Sequence, residues 1–306
     1  MTINREKKNI LIIGGTGFIG FHLAKQCIKR NWKVTSFSTS NPKKSRRVKK
    51  VKYEICDISD IKKLHKKTKN LNFNFIVNLG GHVDHKNKVK TLSSHFLGVK
   101  NLYKVFKDKK ITKFIQIGSS SEYGKLKSPQ QEKKIAKPKL IYGIAKLKAS
   151  KFLVEKYKKK KFPVNIVRFY QLFGPNQDDN RFIPQLINSS IKKKVFLTSS
   201  GEQSRDFLYV DDGVDAIIKC LINKKINGKI FNIGSGKPIK LKEIMLLVKN
   251  KLNFFKPIFG EIKLRKDEPK IIYPDIKLAK KELNWKSRVK FESGLNKTIK
   301  YYKKLT

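Results

Sequence analysis

Tyr142 and Lys146 stand four residues apart in the segment Tyr-Gly-Ile-Ala-Lys, a spacing that places both side chains on one face of a helix. A lysine ammonium beside a phenol stabilises the phenolate, so the pair predicts a tyrosine pKa lowered from about 10 toward neutral pH. Such a tyrosine can exchange a proton with a substrate hydroxyl or carbonyl while a nicotinamide exchanges hydride. The alternative is an ordinary surface pair, because the chain has 10 tyrosines and is rich in lysine.

A glycine-rich turn near the start of the chain predicts a dinucleotide site. Residues 10–13 are four consecutive apolar residues, as in a strand buried on both faces, and an amphipathic pattern follows the turn. The free N–H groups and the dipole of a helix N-terminus attract a pyrophosphate, and glycine lets the backbone approach it. A purely structural turn is the alternative. The residues expected at the dinucleotide are Gly14, Thr16, Gly17, Phe18, Ile19 and Gly20.

A serine loop, residues 118–124, follows a predicted strand at residues 113–117. A hydroxyl at that sheet edge could hydrogen-bond the reacting oxygen and stabilise developing charge. The candidates are Ser119 and Ser120. The alternative is a polar loop whose hydroxyls cap backbone groups.

The elements that position these residues alternate between short apolar runs and helical patterns, as a doubly wound parallel sheet requires. Further strands are predicted at residues 32–37, 53–56, 75–79, 164–168 and 231–234, and helices at 58–69, 90–107, 142–157, 181–191, 210–222, 241–252, 276–283 and from 291 onward. We expect a dinucleotide-binding Rossmann domain over residues 1–168, with 208–235 returning to it. Residues 169–306 would be a smaller, interleaved, mainly substrate-binding α/β part.

The net charge of +49 over 306 residues is the unusual feature of the composition. Such a field attracts nucleic acid, anionic membranes or phosphorylated metabolites, but the lysines are spread along the whole chain, which is typical of solvated surface. The three cysteines match no metal-ligand spacing, and no apolar run is long enough to span a membrane. We therefore expect a cytoplasmic protein without a metal or a membrane partner, and without a nucleic-acid partner.

Taken together, the motifs resemble the extended short-chain dehydrogenase/reductases of the nucleotide-sugar epimerase/dehydratase family. The resemblance covers nearly the whole chain and rests on GGTGFIG, CDI, NLGG, SSSEYG, YGIAK, RFYQLFGPNQ, RDFLYVDD and LRKDEP. It implies a Rossmann-type fold, with Tyr142 as the acid/base, Lys146 on the nicotinamide ribose, and Ser119 or Ser120 at the reacting oxygen. It also implies cofactor contacts from Asp57, Ile58, Leu79, Gly80 and Gly81.

The resemblance further implies a nucleotide-diphosphate sugar as substrate and a homodimer. Arg205 and Arg265 correspond to the arginines that hold the diphosphate and ribose, a task suited to guanidinium. The remaining substrate-binding candidates are Glu122, Gln171 and Arg181.

Several positions depart from the family pattern. Ser38 follows the second predicted strand, where members that use NAD usually carry an acid, and the next loop offers a basic cluster, Lys43, Lys44, Arg46 and Arg47. This favours NADP(H) over NAD(H). The serine loop lacks the Thr-Asp-Glu set of the dehydratases. His95 stands where a helix asparagine is usual, and Gln171 where asparagine is frequent.

The function predicted from the sequence is hydride transfer at C4 of a nucleotide-diphosphate sugar, by a 4-keto-sugar reductase or a 4-epimerase. The alternative is a non-catalytic Rossmann-type RNA-binding or regulatory protein, which the charge would suit. Retention of the Ser, Tyr and Lys residues counts against it.

Overall fold

The computed structural model describes residues 7–82, 86–252, 254–264 and 268–305. Its centre is a seven-stranded sheet in which every neighbouring pair is parallel, with the strand order β10-β6-β5-β4-β1-β2-β3. The strands, numbered in chain order, are β1 (Asn9–Ile13), β2 (Lys33–Ser38), β3 (Val51–Ile55), β4 (Phe75–Asn78), β5 (Lys113–Ser119), β6 (Val164–Phe169) and β10 (Ile230–Ile233).

Both faces of this sheet are buried, which explains the continuous apolar runs. In β1, Ile10 and Ile12 belong to one hydrophobic cluster, while Leu11 and Ile13 belong to a second cluster on the opposite face. Because successive strand residues point to opposite faces, a strand covered on both sides must be apolar throughout. The predicted Rossmann-type fold is confirmed.

Helices cover the two faces of the sheet and continue through the second half of the chain. Their bounds are α1 (Phe18–Lys29), α2 (Ile61–Thr68), α3 (Lys88–Leu92), α4 (Gly98–Phe106), α5 (Ile141–Lys160), α6 (Phe182–Ile191), α7 (Val210–Ile222), α8 (Leu241–Lys251), α9 (Lys277–Leu283) and α10 (Phe291–Lys303). The helix predicted at 90–107 is α3 and α4 joined by one π-helical turn, Ser93–Leu97. Among the described residues, no helix is both long and apolar enough to cross a membrane.

A second, smaller set of strands lies outside the main sheet. These are β7 (Gln171–Phe173), β8 (Val195–Leu197), β9 (Ser204–Tyr209), β11 (Pro238–Lys240), β12 (Lys256–Ile258) and β13 (Ile271–Ile272). β9 pairs with β7, β11 and β13, and β8 pairs with β12. A third hydrophobic cluster, which includes Phe173, Leu186, Phe207, Met245 and Leu295, packs β7 and β9 against α6, α8 and α10.

Candidate active site

The order of the main sheet reverses between β1 and β4, whose connections leave in opposite directions. In open parallel sheets, this switch point at the carboxyl ends of the strands is where ligands bind. The glycine turn follows β1 here, and residues 79–81 follow β4.

The glycine turn is a cradle that side chains would fill. Gly14 has a φ of +77°, and a Cβ there would lie 3.1 Å from the Gly80 nitrogen. A Cβ on Gly20 would overlap the Gly14 carbonyl oxygen and lie 2.6 Å from the Gly15 Cα. Gly17 caps α1 without a side-chain hydrogen bond, and the first turn of the helix holds no acid. These features fit a dinucleotide pyrophosphate.

The loop after β4 approaches the glycine turn on one side and His95 on the other. The Gly80 N–H donates to the Asn78 side-chain oxygen at 3.0 Å, which fixes the loop. At Gly81 φ is +152°, and a Cβ would overlap the His95 ring. Glycine is therefore required at this close approach.

His95 continues this line of contacts to Tyr142. It lies on the π-helical turn and is 5% exposed, and its Nε2 is 3.1 Å from the His82 carbonyl oxygen. Since a carbonyl only accepts, Nε2 carries the proton of that hydrogen bond. The imidazole meets the Tyr142 ring edge on. A continuous series of contacts thus joins the glycine turn to Tyr142.

Ser119 is held by a capping box at the end of β5. Its hydroxyl accepts from the Ser121 N–H at 3.1 Å, and its own N–H donates to Glu122 Oε1 at 2.9 Å. The Ser119 hydroxyl also hydrogen-bonds Tyr142. Ser120 follows as the first residue of the 3-10 turn. Ser119 therefore has the predicted capping role, and its hydrogen bond to Tyr142 is compatible with the predicted role at the reacting oxygen.

Tyr142 and Lys146 share one face of α5, but their electrostatics differ from the prediction. Burial raises the pKa of Tyr142, outweighing the Ser119 hydrogen bond and the positive charge of Arg181, which both lower it. Burial disfavours the charged form of Lys146 as well and lowers the pKa of its ammonium to about 8. The Lys146 ammonium donates to the Ile117 carbonyl at 2.9 Å and lies 5.9 Å from the centre of the Tyr142 ring. The net pKa of Tyr142 is thus raised, opposite to the lowered value that the spacing predicted, because burial dominates.

The adenosine side of the predicted cofactor site lies at the ends of β2 and β3. Ser38 is buried, and its hydroxyl accepts from the Thr16 N–H at 3.4 Å. Asp57 accepts from the Ser59 N–H and hydroxyl, both at 2.8 Å. Ile58 is buried, and its side chain lies beside Gly80 and Gly98.

Arg46 does not lie free in the basic loop, as a phosphate ligand would. Its side chain is 7% exposed and bonds the Asn176 carbonyl and the Asp178 carboxylate. Arg47 is exposed and stacks over Tyr53. The grouping of these two arginines as equivalent cofactor candidates is corrected accordingly.

The substrate-binding candidates fall into three groups. Arg181 caps α6, is exposed, and lies close enough to Tyr142 to affect its pKa; Gln171 is exposed at the start of β7. Arg205 is buried and bonds the Glu268 carboxylate at 2.6 Å. Arg265 lies outside the described residues.

Glu122 belongs to the interior rather than to the pocket. Its carboxylate is fully buried and accepts from Arg168 Nε at 2.9 Å and Nη2 at 2.8 Å, as well as from the Ser119 N–H. Both of its oxygens are engaged within the protein. The geometry therefore makes it a positioning residue for Ser119, and not the substrate contact that was predicted.

An open cavity of about 500 Å³ adjoins α6. One wall is apolar, with Phe196, Leu197 and Ile262, and the α6 wall carries the side-chain amides of Gln185 and Asn188. A cavity lined by apolar side chains and side-chain amides can accept a nucleobase, although the Asn188 amide nitrogen already donates to Asp179.

Some positioning residues escaped the sequence analysis. Asn78 fixes Gly80, Arg168 fixes Glu122, and Asn101 donates to the carbonyls of Ile58 and Ser59 at 3.0 and 2.9 Å. Gly80 is only two residues from Asn78, but the partners of Asn101 and Arg168 lie up to 46 residues away from them. A buried polar residue inside an apolar pattern was the only available signal.

The model of the "NAD dependent epimerase/dehydratase family" matches residues 10–234. The chain belongs to this family. Within it, the chain is 28% identical to the UDP-N-acetyl-alpha-D-glucosaminuronate decarboxylase of Bacillus cytotoxicus, over 98% of this chain and 99% of that protein. It is 29% identical to the dTDP-4-dehydro-6-deoxyglucose reductase of Escherichia coli, over 97% and 98% of the two chains.

The solved structures agree with the family assignment at the level of the fold. The UDP-glucose 4-epimerase of Thermotoga maritima, solved with UDP-glucose, superposes with a TM-score of 0.91 at 23% identity, over 97% of this chain and 99% of that one. At that identity the likeness concerns the epimerase/dehydratase fold, and the chemistry has to be argued from the site.

Proposed function

We propose that the protein is an NAD(P)-dependent enzyme that transfers hydride at C4 of a nucleotide-diphosphate sugar, with Tyr142 as the acid/base. The observation that carries this proposal is the continuous series of contacts from the glycine turn, through Gly81 and His95, to Tyr142. This series supports the proposal that Tyr142 acts on a substrate next to a dinucleotide held at the glycine turn. Membership of the family and the sugar-nucleotide names of both relatives support the substrate class.

The residues divide the chemistry in a simple way. The glycine turn and the first turn of α1 would hold the pyrophosphate, and a bound nicotinamide would supply or accept hydride. Tyr142 gives its proton to the sugar oxygen, while the Ser119 hydroxyl hydrogen-bonds the same region and holds the phenol in place. The Lys146 ammonium donates to the Ile117 carbonyl and so attaches the start of α5, which carries Tyr142, to β5.

We favour the reductive direction, because Ser38 ends β2 at the position where a carboxylate would favour NAD. A protonated Tyr142 phenol would then protonate the carbonyl oxygen as hydride arrives. In the serine loop, residues 118–124, the one acid is Glu122, which is buried against Arg168. It is not placed to remove a proton from the sugar, which argues against dehydration. A 4-epimerase is the second candidate, because the relatives of the chain include a UDP-glucuronate 4-epimerase.

The nucleotide half of the substrate would extend from Arg181 along α6. Arg181 lies near Tyr142 and begins the helix whose side forms the cavity of about 500 Å³. A sugar at Tyr142 and a base in the cavity would place the diphosphate between them. Arg205 and Arg265 stay predictions as diphosphate ligands.

We further propose NADP(H) as the preferred cofactor. Ser38 ends β2 with a neutral hydroxyl and so offers no carboxylate to repel a 2′-phosphate. Lys43, Lys44 and Arg47 lie in the loop that follows and are exposed. Homodimerisation and a cytoplasmic location stay predictions from the resemblance and the composition.

The deciding experiment identifies the cofactor and the reaction together. The purified protein is denatured, the released nucleotide is identified, and the apoprotein is titrated with NADPH and NADH. Turnover is then assayed on dTDP-4-keto-6-deoxyglucose, UDP-glucose and UDP-glucuronate. Preference for NADPH with consumption of the keto sugar supports the reductase. Tightly held NAD⁺ with interconversion of C4 epimers supports the epimerase, and binding of neither cofactor contradicts both.

Tyr142→Phe tests the acid/base role. We expect turnover to fall by about 10²–10⁴-fold with the cofactor affinity preserved, since one hydroxyl is removed and the ring stays in place. Tyr123→Phe is the matched control, because that phenol lies in the interior, bonded to Asn232. Equal turnover in Tyr142→Phe and the parent would refute the assignment.

A further inference from the structure

Three consecutive carbonyl groups, those of Pro175, Asn176 and Gln177, accept hydrogen bonds from three different elements. His22 of α1 lies 2.8 Å from the Pro175 oxygen, and the Tyr302 hydroxyl of α10 donates to the Gln177 oxygen at 2.5 Å. Between them, Arg46 bonds the Asn176 oxygen. We call residues 174–178 the clamped segment.

Arg46 makes the strongest of these attachments. Its Nε and Nη2 donate to the Asn176 oxygen at 3.0 and 2.6 Å, and Nη2 also reaches Asp178 Oδ1 at 2.8 Å. The planar guanidinium fork directs two donors at the Asn176 carbonyl and one of them also at Asp178, an arrangement that the single nitrogen of a lysine would not reproduce. Asn176 has a φ of +63°, and its side chain accepts from the Tyr301 hydroxyl at 2.7 Å. The segment is therefore held in an otherwise uncommon backbone conformation.

Adjacent arginines thus have opposite environments. Arg46 is buried and directed at a carboxylate, while Arg47 is exposed with its guanidinium over the Tyr53 ring, 5.6 Å from the ring centre. An incoming phosphate would compete with Asp178 for Arg46. Arg47 has no carboxylate partner within the described part of the chain, so a phosphate would meet no such competitor there.

The clamped segment leads directly to the Tyr142 site. The Asp178 carbonyl accepts from the Arg181 N–H at 3.0 Å, so the residue that bonds Arg46 also fixes the backbone of Arg181. Arg181 in turn starts α6, and its charge acts on Tyr142. The path from Arg46 to the site therefore has two links, Asp178 and Arg181.

We propose that Arg46 is a positioning residue for substrate binding. It fixes the clamped segment and through it Arg181, and it leaves any recognition of a cofactor 2′-phosphate to Arg47 and the neighbouring lysines. This inference rests on the proposed function, since it assigns roles within the same cofactor and sugar-nucleotide sites.

The test compares Arg46→Ala with Arg47→Ala, using NADPH, NADH, UDP-glucose and dTDP-glucose as titrants. For Arg46→Ala we expect affinity for the better-bound sugar nucleotide to fall about tenfold, which is the effect of losing one charge-assisted hydrogen bond between Arg181 and the substrate. The ratio of NADPH affinity to NADH affinity should stay unchanged. For Arg47→Ala we expect the reverse, a lower ratio and unchanged sugar-nucleotide affinity. Arg46→Lys should not restore binding.

Asp178→Ala is a second test of the same path. It removes the ion pair between Arg46 and Asp178 but leaves the Arg46 bonds to the Asn176 carbonyl in place. Its loss of sugar-nucleotide affinity should be non-additive with that of Arg181→Ala, since both act through one path. A selective loss of NADPH affinity in Arg46→Ala, or lowered thermal stability with unchanged sugar-nucleotide affinity, would overturn the inference. A parent protein that binds neither cofactor overturns the proposed function itself, before any variant is compared.

Discussion

The imidazole of His95 meets the phenol ring of Tyr142 edge on, with the ring centroids 5.1 Å apart and the planes at 77°. The other side of the imidazole lies against Gly81, in the loop after β4. A single side chain thus separates the loop predicted to contact the cofactor from the predicted acid/base, and it sets the distance between them.

Gly81→Ala should lower turnover by at least about tenfold, because the new methyl group overlaps the His95 ring and either the loop or the ring must shift. Adding His95→Ala should restore part of the loss by removing the obstacle. The recovery stays partial, since alanine at a φ of +152° remains strained. Turnover of the two single variants and of the double variant forms the cycle, and additive losses would contradict the proposed contact.

Glu122→Gln should destabilise the fold by about 3–5 kcal/mol, since it leaves the buried Arg168 guanidinium without its counter-charge. The double variant Glu122→Gln with Arg168→Met should recover much of this loss. The free energy of unfolding in urea measures both effects. Glu292→Gln, at an exposed pair with Lys251, is the control and should leave stability nearly unchanged.

Lys113 and Lys146 should make stability depend on pH in the alkaline range. Burial lowers the pKa of each from 10.5 to about 8. The unfolded chain therefore binds more protons than the folded one between pH 8 and 10.5, and the free energy of unfolding gains from these lysines as the pH rises through that window. The gain is on the order of 3 kcal/mol per lysine.

Lys113→Met and Lys146→Met separate this stability effect from activity. Each variant should lose its share of the rise, measured as the difference from the parent so that other titrating groups cancel. Lys113 begins β5, at the end of the sheet away from the site, so its variant should stay active, whereas Lys146→Met should not. An equal pH dependence in parent and variants would refute the assignment of these groups.

Gly20→Ala and Gly17→Ala should fail in different ways. A methyl group on Gly20 overlaps the backbone of the glycine turn, which cannot yield as a side chain would, so that variant should lose stability. On Gly17 the nearest atom would be 3.3 Å away, so that variant should fold and lose mainly cofactor affinity, because Gly17 caps α1 at the predicted pyrophosphate site. Thermal denaturation and NADPH titration distinguish the two.

Local sequence patterns predicted most of the main sheet because its strands are apolar on both faces and its helices are amphipathic. The short strands of the second half were missed for a corresponding reason. β7 is three residues long and contains the exposed Gln171, and β9 contains Arg205 and Asp206 within its buried run. Three-residue strands are defined by their partners, and periodicity contains no information about partners.

The candidate site, like the fold, was predicted only in part. The gathering of the glycine turn, residues 79–81 and Ser119 at one edge of the sheet could be anticipated, since parallel strands bring their carboxyl ends to one edge. The roles of Arg46 and Glu122 could not be. Each is decided by a partner far along the chain, Asp178 and Arg168, and a charged residue in a sequence does not reveal whether another charge will neutralise it.

β10, residues 230–233, forms the edge of the main sheet next to β6, although 60 residues separate the two strands. During synthesis, the backbone groups along one edge of β6 therefore stay unpaired until β10 has been made, when most of the chain has emerged. An exposed edge of this kind invites pairing with other chains. Fragments that stop after β6 should aggregate on refolding, and the order of translation thus becomes part of how this sheet is completed.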